Sequence, residues 1–133
     1  MNEGAPAARI QIKLDRLPVS ARVARDALLN LVGHRAAPSF LRDAILLTSE
    51  LVTNAVSHGR GRCELRAAFR SPPDWVRVEV LDQSPVLPVL ADAAEQAVRL
   101  GGYGLVLVGD VASDWGAERL PGGGKAVWFE MSS

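Results

Sequence analysis

The sequence predicts an α+β fold, a two-layer sandwich in which helices cover one face of a mostly antiparallel sheet. Three observations support this prediction. The expected elements follow the order β α α β β α α β β, which lacks the alternating βαβ units of a parallel sheet. Valines alternate with charged residues over residues 75–80, as in a strand with one buried face. Residues 38–58 carry an apolar stripe at helical spacing.

Composition narrows the class of protein. The chain has 133 residues, with 15 Lys and Arg against 15 Asp and Glu. This length suits one domain, 1–133, with a core at about residues 9–131 after a flexible leader at 1–8. The balanced charge lacks the basic footprint of a nucleic-acid-binding protein. One cysteine and two histidines provide neither an internal disulfide nor an ordinary zinc site. No apolar segment could span a bilayer, so we expect a cytoplasmic protein that binds neither nucleic acid nor a membrane.

The first half of the chain is predicted to form one strand and two helices. Residues 9–14 alternate apolar and polar side chains, which predicts an edge strand. Ser20 is the expected N-cap of a first helix that Gly33 ends. Pro38 opens the second helix, and Gly59 is expected to be its left-handed C-cap. The expected buried positions of the first helix are Val23, Ala27, Leu28 and Leu31. Those of the second are Leu41, Ala44, Ile45, Thr48, Val52 and Ala55.

The second half is predicted to form two strand pairs separated by two helical segments. Asp82 ends the second strand of the first pair. A helix at about residues 91–99 is expected to be a mobile cover. The glycine stretch 101–104 is expected to open a further helix, which ends near Ser113. The predicted strands are residues 63–69, 76–81, 115–120 and 125–131.

The second predicted helix sets two polar side chains into an apolar surface. Glu50 and Asn54 are four residues apart and therefore face the same way, about 5–6 Å apart at Cβ. Burying such groups without partners costs on the order of 1–3 kcal/mol for an amide and more for a carboxylate. The pair is therefore suited to one ligand or one hydrated cation. The alternative is an exposed glutamate and a capping-type asparagine.

Two further stretches suit nucleotide chemistry. The glycines at 101, 102 and 104 open a helix, where backbone N–H groups and a positive dipole end suit phosphate. Asp82 can accept a hydrogen bond from an exocyclic amine such as that of adenine. An asparagine oxygen suits Mg²⁺, and a glutamate can polarise an attacking water or hydroxyl. Taken singly, Asp82 is also compatible with a turn residue, and the glycines with a flexible hinge.

These stretches give the chain a resemblance to the GHKL ATP-binding family, which has the Bergerat, or histidine-kinase-type, ATPase fold. The N box is matched by SELVTNAVSHG, the first glycine box by VEVLDQSPVLP, the second by GGYGLVLV, and the closing strand pair by WGAERLPGGGKAVWFEM. The resemblance extends over roughly residues 17–131. Within the family, the chain is similar to the anti-sigma-factor serine kinases of actinobacterial type.

The resemblance implies a site for ATP and Mg²⁺. By this resemblance Asn54 would ligate Mg²⁺, Glu50 would be the catalytic base, and Asp82 would bind the adenine amine. The other nucleotide contacts would come from Gly102, Gly104 and Leu105. The resemblance also implies a serine/threonine kinase that phosphorylates an anti-sigma-factor antagonist and sequesters a sigma factor. A homodimer is one assembly that such a protein allows.

Departures from the family pattern keep an alternative open. Asp82 is followed by Gln-Ser-Pro in place of the glycines of a DxGxG pattern. Tyr103 replaces an arginine often found in the second glycine box. Ala126 stands where many members carry a threonine that helps to hold the aspartate and a water near adenine. The alternative function is a non-catalytic protein–protein interaction module with a retained or degenerate nucleotide site. Lys125 is expected to be a solvated charge at the start of the last strand, with a contact to a phosphate as the alternative.

Overall fold

The computed structural model describes residues 7–86 and 111–133. Over these ranges the strands are β1 (Ala8–Leu14), β2 (Cys63–Arg70), β3 (Trp75–Asp82), β4 (Asp114–Arg119) and β5 (Lys125–Ser132). The helices are α1 (Ser20–Val32) and α2 (Pro38–His58), with a 3-10 turn at Gly33–Arg35 between them. The predicted cover helix and the glycine stretch lie outside the described residues. The single-domain extent of the chain stays a prediction.

The described strands form one antiparallel sheet in the order β1-β2-β3-β5-β4. β1 is an edge strand, as its alternation predicted. β2 and β3 form the predicted hairpin. β5 lies between β3 and β4, so the last strand of the chain pairs with a strand from its middle. Together with the two helices, this sheet confirms the predicted α+β class.

The core lies between the helices and one face of the sheet. In β3, the side chains of Val76, Val78 and Val80 are at most 1% exposed, whereas Arg77 and Glu79 lie on the open face. Burying a side chain of this kind contributes about 1.5–3 kcal/mol, so the alternation of β3 orients the sheet toward the helices. The largest fully buried side chains come from both layers and include Phe69, Phe129, Leu28, Leu47 and Leu65.

Two predictions about helix ends are wrong. Ser20 is the first helical residue of α1, not its N-cap, and its buried hydroxyl donates a hydrogen bond to the carbonyl oxygen of Asp15 at 2.5 Å. Gly59 ends α2, but its φ of −83° is not left-handed. Gly33 does end α1 as predicted, with a φ of +56°. The two glycines therefore end their helices for different reasons.

The buried stripes of both helices are shifted from the prediction. Val23 is 45% exposed, and its neighbour Ala24 is fully buried. In α2, Leu41 and Ile45 are only partly buried, whereas Phe40 is buried. Helical spacing defines the width of an apolar face, but the sheet decides which edge of that face is covered. Neither described helix is long and apolar enough to cross a membrane.

Candidate functional site

Glu50 and Asn54 lie on one side of α2, one turn apart, in its second half. Both are partly exposed, at the border of the buried stripe to which Leu47, Leu51 and Ala55 belong. Their polar groups therefore keep access to solvent while their stems pack beside the core. This placement agrees with the geometry that the i, i+4 spacing predicted. Their roles as base and metal ligand stay predictions.

The phosphate side of the predicted site lies outside the described residues. This applies to Gly101, Gly102, Gly104 and Leu105, and to Tyr103 between them. Their predicted contacts with a nucleotide stay predictions. The described part of the candidate site therefore consists of the α2 pair and the region around Asp82.

Asp82 ends β3 as predicted, and its side chain is 2% exposed. Its Oδ1 accepts a hydrogen bond from the backbone N–H of Ser84 at 2.7 Å. This contact is an Asx turn, in which the aspartate side chain bonds to the backbone two residues later. Asp82 is therefore a turn residue and a candidate site residue at once, because the turn orients the carboxylate and leaves Oδ2 for another partner.

The end of α2 packs against Asp82 at Gly59. A Cβ atom on Gly59 would clash with the backbone carbonyl oxygen of Ala55 and would lie 2.9 Å from Cγ of Asp82 and 3.0 Å from its Oδ2. Since a φ of −83° is open to any residue, glycine is needed here for space. The backbone N–H of Gln83 also donates to the carbonyl oxygen of Arg60 at 2.9 Å. These contacts join the helix that carries the polar pair to the end of β3.

Asn54 and Asp82 are linked through this junction. Gly59 lies five residues after Asn54, which corresponds to about 7.5 Å along a helix axis. The carboxamide of Asn54 and the carboxylate of Asp82 thus belong to one end of the molecule. Glu50 lies one turn further from the junction. The structure therefore joins the C-terminal end of α2 to the end of β3, and the convergence of their polar groups on one ligand stays a prediction.

Lys125 lies beside Asp82 at the candidate site and is buried, whereas the sequence predicted a solvated charge or a phosphate contact. It is 8% exposed, and its Nζ lies 3.3 Å from Oδ2 of Asp82. Lys125, the first residue of β5, pairs in register with Asp82, the last residue of β3. Ala126 pairs instead with Leu81, so the side chain opposite the carboxylate is a lysine.

A sequence signal for Lys125 did exist. Along β5, Lys125 has the same parity as Phe129 and Met131, which are both buried. The structure adds a second feature, in the turn that precedes Lys125. Gly124 has a φ of +83°, and a Cβ on it would lie 3.1 Å from Cα of Gln83. Glycine therefore lets the start of β5 approach the end of β3 closely.

The Asp82 carboxylate also acts on Cys63, the first residue of β2. Burial is the largest cause that raises the pKa of the Cys63 thiol, and the charge of Asp82 raises it further. The charges of Arg16 and Lys125 act in the opposite direction. Cys63 is 1% exposed, so it serves as a small neutral core side chain.

The described residues fit ATP and Mg²⁺ in chemistry. A carboxylate held at a strand end matches an exocyclic amine donor, and Gly59 leaves the space beside it free of a side chain. Mg²⁺ takes one or two protein oxygens and completes its shell with water and substrate phosphates. The polar pair on α2 provides such oxygens in a position that solvent can reach.

Comparison with known protein families agrees with this chemistry. The profile described as a histidine kinase-like ATPase domain matches residues 14–131. This range contains every site residue that the sequence predicted, including those outside the described parts of the chain. No curated protein matches the chain.

Proposed function

Because the chain belongs to the histidine kinase-like ATPase family, whose domains bind ATP, we propose that it is a Mg²⁺-dependent regulatory protein kinase. It would resemble the anti-sigma-factor serine kinases, phosphorylating an anti-sigma-factor antagonist and sequestering a sigma factor. The observation that carries the proposal is the junction of α2 with β3, where Gly59 packs against the Asp82 carboxylate. This junction brings Asp82 to the end of the helix that carries Glu50 and Asn54.

Nucleotide binding would divide between the two sides of this junction. Asp82 would accept a hydrogen bond from the adenine amine, and Asn54 would hold Mg²⁺ through its carboxamide oxygen. Bound Mg²⁺-ATP supplies the phosphoryl group and neutralises the charge that develops on it. The remaining nucleotide contacts would come from Gly102, Gly104 and Leu105.

Glu50 would act on the attacking serine of the partner. Its carboxylate lies one turn before Asn54 on the same side of α2, beside the proposed metal position. It would take the proton from the serine Oγ as Oγ bonds to the γ-phosphorus and the bond to ADP breaks. General-base catalysis of this kind contributes about 10²–10⁴-fold in rate.

A non-catalytic interaction module is the second candidate, and two observations favour it. Asp82 is already paired with Lys125, so part of its acceptor capacity is taken within the protein. Gln-Ser-Pro follows it in place of the glycines of the family pattern. In this alternative the fold works through protein–protein contact, with a nucleotide site that is retained or degenerate.

Two measurements separate these functions. Calorimetric titration of Mg²⁺-ATP tests nucleotide binding, and transfer of radiolabelled phosphate to a candidate antagonist tests the kinase activity. We expect Glu50→Ala to keep ATP affinity within a few-fold and to lose about 10²–10⁴-fold in transfer rate. Asn54→Ala should abolish the Mg²⁺-dependent part of nucleotide binding and leave the fold intact. Thr53→Ala, at an exposed position of the same helix, is the matched control.

The outcomes point in different directions. A parent protein that binds ATP and a partner but transfers no phosphate supports the interaction module. An Asn54→Ala variant that binds Mg²⁺-ATP as tightly as the parent contradicts the metal assignment. If Glu50→Ala transfers phosphate at the parent rate, then the base lies elsewhere.

A further inference from the structure

None of the roles proposed above involves the buried ammonium of Lys125. We propose that Lys125 reads the nucleotide base together with Asp82. Its ammonium donates a hydrogen bond to N1 of adenine, while Asp82 accepts one from the amine at C6. This inference rests on the proposed ATP binding and names a base-specificity residue of the same site.

The pairing geometry matches the edge of adenine. Asp82 Oδ2 and Lys125 Nζ stand side by side, 3.3 Å apart, at the ends of paired strands. A carboxylate only accepts hydrogen bonds and an ammonium only donates them. Adenine presents a donor amine next to the acceptor N1 along its Watson–Crick edge. The two protein groups therefore form the complement of that edge.

Both protein groups have unused bonding capacity. A carboxylate has about four acceptor sites, and the Asp82 carboxylate uses one for the Ser84 N–H and one for Lys125. An ammonium has three donors, of which the contact with Asp82 takes one. Each group can therefore bond to a base without breaking the ion pair.

The buried ion pair of Asp82 and Lys125 also needs further hydrogen-bond partners. The side chains of Asp82 and Lys125 are 2% and 10% exposed. A buried ion pair offsets its desolvation only when its geometry is good and additional hydrogen bonds satisfy both charges. The 3.3 Å contact is longer than the roughly 2.7–2.9 Å of a strong charged hydrogen bond. A base edge would add one bond to each charge.

The same pair disfavours guanine. With the C6 substituent beside Asp82, guanine would place a carbonyl oxygen against the carboxylate and its N1–H against the ammonium. Both contacts would be mismatched. A site with buried polar groups rejects an analogue that leaves them unpaired, so ATP should bind more tightly than GTP. Asp82 and Lys125 would share this discrimination.

The direct test compares ATP with 1-deaza-ATP, in which a C–H group replaces N1, by calorimetric titration with Mg²⁺. A hydrogen bond to a charged group supports an affinity difference of about 10–100-fold in the parent protein. Lys125→Met should weaken ATP binding and reduce the difference to less than about twofold, because no donor to N1 is left. Lys125→Gln, which keeps a donor, should restore part of it. Arg119→Met is the matched control, since Arg119 pairs with Lys125 across the strands and is exposed.

Three results would overturn the inference. Equal affinities of the parent for ATP and 1-deaza-ATP would overturn it and leave the proposed ATP binding intact. Full discrimination by Lys125→Met would show that another group reads N1. A parent that binds no ATP would overturn the inference and the proposed nucleotide binding together. The comparison of ATP with 1-deaza-ATP in the parent protein needs no variant, so it tests the inference even where Lys125→Met fails to fold.

Discussion

Two groups of ion pairs lie on the same two strands, β3 and β5, but on opposite faces of the sheet. On the helix-covered face, Asp82 and Lys125 make one contact of 3.3 Å with side chains 2% and 10% exposed. On the open face, Arg77 contacts Glu79 at 3.0 Å and Glu130 at 2.7 Å, with side chains 26–31% exposed. The open-face group has the shorter contacts, and the covered pair has the greater burial.

The open-face group has the features of a surface network. Arg77 also stacks over the ring of Trp128, with its guanidinium carbon 4.2 Å from the ring centroid. Partial burial acts to lower the pKa of Arg77, but its hydrogen bonds with Glu130 and Glu79 outweigh that effect and raise the pKa. Water reaches all three charges, so the free energy of unfolding depends little on them.

Burial is therefore a better indicator of a candidate binding site than contact length is. A charge that water reaches needs no further partner, whereas a buried charge does. The pair at Asp82 has the poorer contact and the higher desolvation cost, and it lies where α2 meets the sheet. The proposed contact with a nucleotide base would give each of these two charges a further partner.

The largest stability effect is expected from breaking the covered pair. Lys125→Met leaves the Asp82 carboxylate buried without its counter-charge and should lower the free energy of unfolding by about 3 kcal/mol. The double variant Asp82→Asn with Lys125→Met should lose less than this single variant, because neither charge is left unpaired. Denaturant unfolding measures both values. A single-variant loss below about 1 kcal/mol would place this pair with the surface network.

The next effect is expected where α2 meets the covered pair. Gly59→Ala would place a Cβ against the backbone carbonyl oxygen of Ala55 and 2.9 Å from Cγ of Asp82, and should lower the free energy of unfolding by about 1–3 kcal/mol. It should also weaken ATP binding, because the displaced atoms belong to the site. Gly122→Ala is the control, since its added Cβ meets nothing within 4 Å. Thermal unfolding measures both variants. Equal losses of stability in Gly59→Ala and Gly122→Ala would contradict the close approach at Gly59.

A smaller effect is expected on the open face. Arg77→Met removes two ion pairs and the contact with Trp128, yet should cost less than about 1 kcal/mol, because exposed pairs contribute little. Salt screens exposed charges, so this loss should shrink further in 1 M salt, where the Debye length is about 3 Å. The loss in Lys125→Met should change less with salt. Urea titrations at low and high salt measure the difference, and a loss of 3 kcal/mol for Arg77→Met would contradict the comparison.

The smallest effect is a pH dependence at Cys63. Its pKa is raised in the folded protein by burial first and by Asp82 second, so the folded state holds the thiol proton more tightly than the unfolded state does. The resulting stabilisation is fully present below the unfolded thiol pKa of about 8.5 and is lost as pH rises through the folded pKa. The stability difference between the parent and Cys63→Ala should therefore decrease above that pH. A difference that is constant from pH 7 to 10 would contradict the raised pKa.

Much of the fold was predictable because strand and helix patterns are local. The alternation in β3 shows which residues face the core, and the proline-rich turn after β2 predicts the hairpin. The spacing of Glu50 and Asn54 puts them on one side of α2 without knowledge of any other element. Asp82 could be placed at a strand end because polar and turn-forming residues follow it. The match to residues 14–131 agrees with this reading.

Contacts between distant segments could not be predicted from these local patterns, and only the tertiary structure shows them. Lys125 is opposite Asp82 only because β5 lies between β3 and β4, and that order depends on segments far apart in the chain. Gly59 was correctly placed at a helix end, but the reason is the close approach of the Ala55 carbonyl oxygen and the Asp82 carboxylate and not a left-handed turn. The exposure of Val23 likewise depends on where the sheet lies. The period of each helix or strand is visible in the sequence, and it gives the approximate face on which the apolar side chains lie. Only packing determined what each side chain meets, because register and close approach depend on pairs of distant segments.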